Sequence, residues 1–261
     1  VLKTPELPDL LRLIDERSTA FRAAIAAAPD LDVRVPTCPE WTLRDLARHL
    51  GSGRPFWAAI VAAGPADAPP AEAVAARAAV QEPQEREALL AWLAASTQEL
   101  LDTLRESGPD AECWTWWGKS QSPRTSGAVA RHQLQEIAVH TYDAQVALGA
   151  AQPLPEEVAL DGAEDFLVTC CATSSPWPHE PAVVEYHVSE GRSWRVTLSA
   201  DGARIARIAA GEEGAAPADA SARGTASELV LWFYGRTAVD SLELDGDRRI
   251  FDQLFAWDPG I

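Results

Sequence analysis

The chain lacks any apolar run approaching the roughly 20 residues a membrane-spanning helix needs, so no membrane partner is expected. Its opening stretch, VLKTPELPDL, lacks the charged-then-apolar plan of a secretory signal, which makes a cytoplasmic location the expectation. Positive charge is scarce: 22 basic residues stand against 39 acidic ones, a formal net charge of −17. So acidic a surface disfavours nucleic acid and anionic membrane as partners. Any anionic substrate then needs a local cluster of arginines. Lysine is nearly absent, with 2 against 20 arginines. The cysteines are few: Cys38, Cys113, Cys170 and Cys171 form no C-x-x-C pair, and none lies within a turn of the candidate ligands named below. The vicinal Cys170 and Cys171 read as two small helical residues. No protein thiol stands out as a nucleophile, so thiol chemistry would need a thiol supplied from outside the chain.

The 261 residues, 47% of them hydrophobic, suffice for two domains with cores of their own. The most informative feature is His49 followed far downstream by Glu136 and His140. The latter pair sits in ARHQLQEIAVHTYDA, a segment without Gly or Pro, where an i,i+4 spacing stacks both side chains on one helical face. His49 lies beside the stripe Leu43, Leu46, Ala47 and Leu50. Two helices can thus aim two imidazoles and a carboxylate at one point. A cation such as Zn²⁺ accepts that set and keeps room for water or substrate. The spacing alone leaves alternatives open: an E-x-x-x-H pair is also an ordinary surface pair, and Asp45 is within reach as a partner for His49. His132, four residues before Glu136, allows a different ligand set or a fourth ligand.

Three longer stretches, VPTCPEWTLRDLARHLGSGRPFW, RHQLQEIAVHTYDAQVALG and GTASELVLWFYGRTAVDSLELDGD, together resemble the mycothiol-dependent maleylpyruvate isomerase family, in order over most of the chain. The resemblance implies an α+β protein: an N-terminal DinB-like four-helix bundle holding a divalent metal, usually zinc, and a smaller C-terminal α/β domain. It implies metal ligation by the His of a W-T-x-x-D-L-x-x-H-L segment, here His49, and by the Glu and His of an E-x-A-x-H segment, here Glu136 and His140. One departure is visible. The family commonly reads H-E-x-A-V-H-R-W-D, whereas this chain has Gln135 before Glu136, then Thr141 and Tyr142 before Asp143. The arginine-rich, alanine-rich composition also agrees with mycothiol, a thiol of high-GC bacteria.

Helical spacing predicts α-helices over about Leu7–Ala28, Thr42–Ala63, Pro83–Gly108, Ser126–Leu148 and Glu156–Thr173. Thr42 and Asp45 form a candidate capping box. Two strands are expected over Val184–Val188 and Trp194–Leu198, and a third over Ala203–Ala209. Gly211–Gly224 reads as a loop, Ser227–Tyr234 as a helix, and a last helix starts near Asp247. The Pro-rich Ser174–His179 segment sets the expected boundary, with a bundle over 1–175 and an α/β domain over 176–261. The second domain should contribute to substrate but not metal binding, because His179 and His187 lack a carboxylate at ligand spacing.

Trp114, Trp116 and Trp117 precede the ligand-bearing helix and are candidates to wall a mycothiol pocket, although Trp is mostly a core residue. Arg54 and Arg236 are candidates to meet an anionic group, the latter favoured by the resemblance. A coordinated thiol is deprotonated, so the expected activity is metal-dependent use of mycothiol as a thiolate for S-transfer to a small electrophile. Maleylpyruvate cis-trans isomerisation or metal-dependent hydrolysis on the same ligands are the alternatives. The expected assembly is a monomer or a homodimer.

Overall fold

The computed structural model describes residues 4–209, 211–212 and 217–257, and these fall into two compact units. One comprises Thr4–Thr115 with Arg124–Leu154; the other comprises Trp116–Pro123 with the chain from Pro155 onward.

The first unit contains α1 (Leu7–Ala27), α2 (Leu43–Ala63), α3 (Ala71–Ala79), α4 (Arg86–Ser107) and α5 (Ser126–Ala147). Helices α1, α2, α4 and α5 make the four-helix bundle, and α3 packs on α2. Leu10, Leu13, Ile14, Phe21 and Ile25 of α1 and Leu89, Leu93, Leu100 and Leu104 of α4 are buried. Their helical spacing gives each helix one apolar face, and each such side chain contributes about 1.5–3 kcal/mol when fully buried. The start of α2 is fixed by a capping box: the Thr42 hydroxyl accepts the Asp45 N–H, and the Asp45 carboxylate accepts the Thr42 N–H. Two residues after His49, Gly51 lets α4 approach closely, since a Cβ there would lie 2.2 Å from the Trp92 ring.

Helix α5 is different. It is buried around most of its circumference, and the buried set includes His132, Gln133, Gln135, His140, Thr141 and Asp143. Polar groups in such a position need partners or a function. Some partners come from a short antiparallel hairpin between α1 and α2, β1 (Arg34–Val35) and β2 (Cys38–Thr42). Its turn carries Thr37 and Cys38 to Asp143.

The second unit begins with α6 (Glu156–Phe166), which passes into one π turn over Leu167–Cys171. There follow β3 (Ala182–Val188), β4 (Arg192–Ser199), β5 (Gly202–Ile208), β6 (Ala220–Gly224), α7 (Ala226–Phe233), β7 (Glu243–Gly246) and α8 (Arg249–Ala256). The sheet order is β5-β4-β3-β6-β7, antiparallel throughout except for the parallel pair β3 and β6. No helix among the described residues is long and apolar enough to cross a membrane.

Four features depart from the sequence reading. Helix α3 was not expected because it buries only Ala73 and so shows no apolar period. Strand β6 lies within the expected loop: its Ala-Ser-Ala-Arg-Gly has little strand character, and the ladders to β3 and β7 define it. Strand β7 is a short edge with no buried residue. Finally, α6 was expected as a fifth helix on the bundle side of a boundary at 175, yet it packs on α7, and the division falls between Leu154 and Pro155. Helical spacing shows that α6 has an apolar face but not which core receives it.

Candidate metal centre

Helices α2 and α5 bring His49, Glu136 and His140 together. His49 Nε2 donates to Glu136 Oε2 at 3.2 Å, and His140 Nε2 lies 3.7 Å from the same oxygen. The three donor atoms lie within 4.8 Å of one another. The side chains of His49 and Glu136 are 27% and 29% exposed whereas that of His140 is 10% exposed, so the group opens on one side. Two imidazoles and one carboxylate at this spacing fit a divalent cation and leave coordination positions free.

The buried end of the group is held in place. His140 Nδ1 donates to Asp143 Oδ2 at 2.8 Å, and Asp143 is fully buried. The carboxylate also accepts the Thr37 hydroxyl at 2.6 Å, and Cys38 Sγ lies 3.6 Å away. An imidazole that donates from Nδ1 presents its Nε2 lone pair on the opposite edge, here toward Glu136 and His49. Asp143 had no role in the sequence reading, although its position three residues after His140 carried the signal. Cys38 was set aside because it is distant from the ligands in sequence; the hairpin brings it beside them. Cys38, His140 and Asp143 form a second compact donor group. Its atoms already bond to one another and Asp143 is closed to solvent, whereas His49 borders a cleft of about 510 Å³. Both groups are candidate cation positions, and the first is the one that borders the open cleft.

Burial works against the charge of Glu136, but the hydrogen bond from His49 and the fields of His140, His132 and His49 outweigh it, holding the carboxyl well below the usual carboxylate range. The Trp41 ring packs 4.9 Å from that of His49 and 5.9 Å from that of His140. This tryptophan, at the end of β2, was not among the residues singled out from sequence. His132 Nε2 is 4.0 Å from Glu136 Oε1, the other carboxylate oxygen, and lies outside the compact group. Asp45 bonds to Thr42 and Arg48, not to His49.

The remaining candidates are placed elsewhere. Arg54 is 3% exposed and donates to Thr97 and Ser18 inside the bundle, where burial, helped by Arg22, pushes its guanidinium down to about 9. It does not line the cleft. Trp114 stacks on Trp57 at 6.3 Å, while Trp116 and Trp117 pack edge to face in the second unit, Trp117 fully buried. None of the three lines the cleft beside His49. Arg236 belongs to the second unit and donates to the Tyr234 carbonyl at 2.6 Å. The arginines in the cleft are instead Arg48 and Arg77, the latter 4.9 Å above the Phe56 ring. His187 also corrects an expectation, since its Nε2 is 3.2 Å from Glu185 Oε2 and its Nδ1 2.9 Å from Ser193 Oγ. Even so, both compact donor groups among the described residues lie in the bundle unit.

Among solved structures, the chain is similar to one described as the crystal structure of the mycothiol-dependent maleylpyruvate isomerase, at 16% identity and a TM-score of 0.57, covering 94% of this chain and 96% of that one. A histidine-to-alanine mutant of that isomerase gives 15% identity and a TM-score of 0.58 with the same coverage. At this identity the likeness shows the fold. No curated protein matches the chain. The family described as Mycothiol maleylpyruvate isomerase N-terminal domain matches residues 11–145, and the MDMPI C-terminal domain matches residues 157–253. With both domains matched in order, the chain belongs to the mycothiol maleylpyruvate isomerase family.

Proposed function

We propose that the protein is a divalent-metal-dependent enzyme that uses mycothiol as a nucleophile toward a small electrophile and transfers the thiol to it. The observation that carries this reading is the convergence of His49, Glu136 and His140 at the edge of an open cleft. These three residues would hold the cation, with zinc the best match to two imidazoles and a carboxylate. When bound, such a cation supplies the Lewis acidity that converts a coordinated thiol to its thiolate near neutral pH. Asp143 keeps the His140 ring oriented, and the Trp41 face limits water on one side of the two imidazoles. Glu136 adds negative charge to the centre, which tempers Lewis acidity relative to a third imidazole. Arg48 is paired with Asp45, which also lines the cleft, so Arg77 supplies the local positive charge that an acidic protein needs to admit an anionic electrophile.

A second reading, isomerisation, is favoured by a specific observation. The helical segment around Glu136 departs from the family pattern at Gln135, Thr141 and Tyr142, which favours S-transfer over isomerisation only where those residues face the pocket. Yet Gln135 is fully buried and Thr141 donates to the Ile137 and Arg17 carbonyls, so neither lines the cleft. Gln135 and Thr141 thus bear on α5 packing more than on the pocket, and Tyr142 is not among the residues lining the cleft. Incubation with zinc, mycothiol and a panel of anionic electrophiles, read by mass spectrometry, separates the readings. Mycothiol retained in the product supports S-transfer. An unchanged mass with altered double-bond geometry supports isomerisation. Product formed with added water and without mycothiol would rule out both.

A further inference from the structure

A second cavity, of about 220 Å³, lies wholly within the second unit and shares no lining residue with the cleft beside His49. Its walls come from the π turn after α6, from β3, from α7 and from α8. They are strongly aromatic: Phe166 stacks on Phe233 at 4.8 Å with an interplanar angle of 5°, and the Tyr186 ring meets Phe233 edge-on at 5.1 Å. Trp232 and Trp257 complete the lining, and Phe255, 73% exposed, belongs to it too. Among the described residues, no charged side chain lines the cavity.

Two further observations point to a ligand. Tyr186 is 2% exposed and lines the cavity, and a buried phenol normally finds a hydrogen-bond partner. The hydroxyl is close enough to feel Cys171, another lining residue, and burial pushes that thiol up to about 12, so it stays neutral. The wall that carries Cys170 and Cys171 is a π turn, a rare form of helix found mostly as single turns and often at functional sites.

We propose that this cavity binds a small neutral aromatic molecule, a substituted single ring or a fused pair, through aromatic packing and one hydrogen bond to the Tyr186 hydroxyl. Size sets the upper limit: a dry cavity of about 150 Å³ accepts benzene, and drug-sized ligands occupy about 300 Å³ or more. The uncharged walls set the charge, because an ionised ligand would lose its hydration here without a counter-ion. Cys170 and Cys171 serve as wall atoms, and no covalent step is invoked.

The test is calorimetric titration of the full chain with 2-naphthol, naphthalene and 2-naphthoate as probes. The expected result is one saturable site for 2-naphthol, weaker binding of naphthalene, and no measurable binding of the anionic 2-naphthoate. Tyr186→Phe should weaken 2-naphthol by roughly 2–10-fold, the worth of one net hydrogen bond, and leave naphthalene unchanged. Cys170→Phe, which fills the cavity from a wall that Tyr186 does not occupy, should abolish binding of both. His49→Ala should change neither, which separates this site from the metal centre. The proposal is overturned if 2-naphthol does not saturate, if 2-naphthoate binds more tightly, or if His49→Ala removes the binding and Cys170→Phe does not. A dimer that dissociates on Phe255→Asp, without 2-naphthol binding to the wild type, would assign the surface to a second copy and also overturn it.

Discussion

Replacing Asp143 tests whether the candidate centre depends on the buried side of His140. In the structure Asp143 accepts from His140 Nδ1 at 2.8 Å and from Thr37 at 2.6 Å, and it is fully closed to solvent. Asp143→Asn keeps the shape. Its carbonyl can still accept from Nδ1, and its amide can donate to the Thr37 hydroxyl, so the change removes charge more than geometry. Asp143→Ala removes both acceptors, frees the ring to turn and leaves a buried hydroxyl to be satisfied. Partners of metal-bound histidines are worth about 10–100-fold in affinity, which is about 1.4–2.8 kcal/mol at 1.4 kcal/mol per tenfold. The Asn variant should fall near the lower figure and the Ala variant near the upper one. Asp143→Ala should also lose about 1–3 kcal/mol of metal-free stability from the unmet polar groups. Competition against a chromophoric zinc chelator gives the affinities, and thermal melting of the metal-free protein gives the stabilities. Wild-type zinc affinity in both variants, with native melting, would refute the role assigned to Asp143. If Cys38→Ser weakened zinc as much as His49→Ala, the metal would belong instead to the Cys38, His140 and Asp143 group.

Glu136→Gln should weaken zinc by about 10–100-fold and remove most mycothiol-dependent turnover, while His132→Ala should do neither because His132 faces the other carboxylate oxygen; chelator competition and turnover assays on both variants check this, and a dead His132→Ala beside an active Glu136→Gln would reverse the ligand assignment. Gly51→Ala should lower the Tm, at a cost of about 1–3 kcal/mol, because the added methyl would meet the Trp92 ring at 2.2 Å; an unchanged melting curve would show that α2 and α4 can part freely. Burial pushes Cys113 up to about 11 and Cys171 up to about 12, against about 8.5 in an unfolded chain. Above pH 8.5 the folded state therefore retains protons that the unfolded chain releases, so the stability contribution is complete below that pH and declines as pH rises toward 11. Denaturant melts at pH 8 and pH 10 should show the decline, and Cys113→Ala should flatten it.

By itself the sequence determined the bundle helices, the α2 capping box, three of the sheet strands and the pairing of Glu136 with His140 on one helical face. Each rests on a local rule: apolar spacing at the helical or strand period, Thr42 three residues before Asp45, and Glu136 one turn before His140. What lay outside local rules was decided by tertiary structure. Helix α3 and strands β6 and β7 have too few buried residues, or residues too small, to show a period, and strand ladders or a neighbouring helix define them. The apolar face of α6 was legible, but its partner α7 lies some sixty residues onward, so the domain boundary was not. Within the site, Trp41, Thr37 and Cys38 reach α5 through a hairpin whose register no periodicity announces. Arg77 reaches the cleft from α3, the helix that sequence spacing does not reveal. Arg54, by contrast, is a charged residue with the burial of a core one, because helices α1 and α4 close over its side of α2. Sequence period fixes which face of an element is apolar; only the packing of elements distant in the chain fixes what that face meets and which polar side chains it leaves facing a cavity.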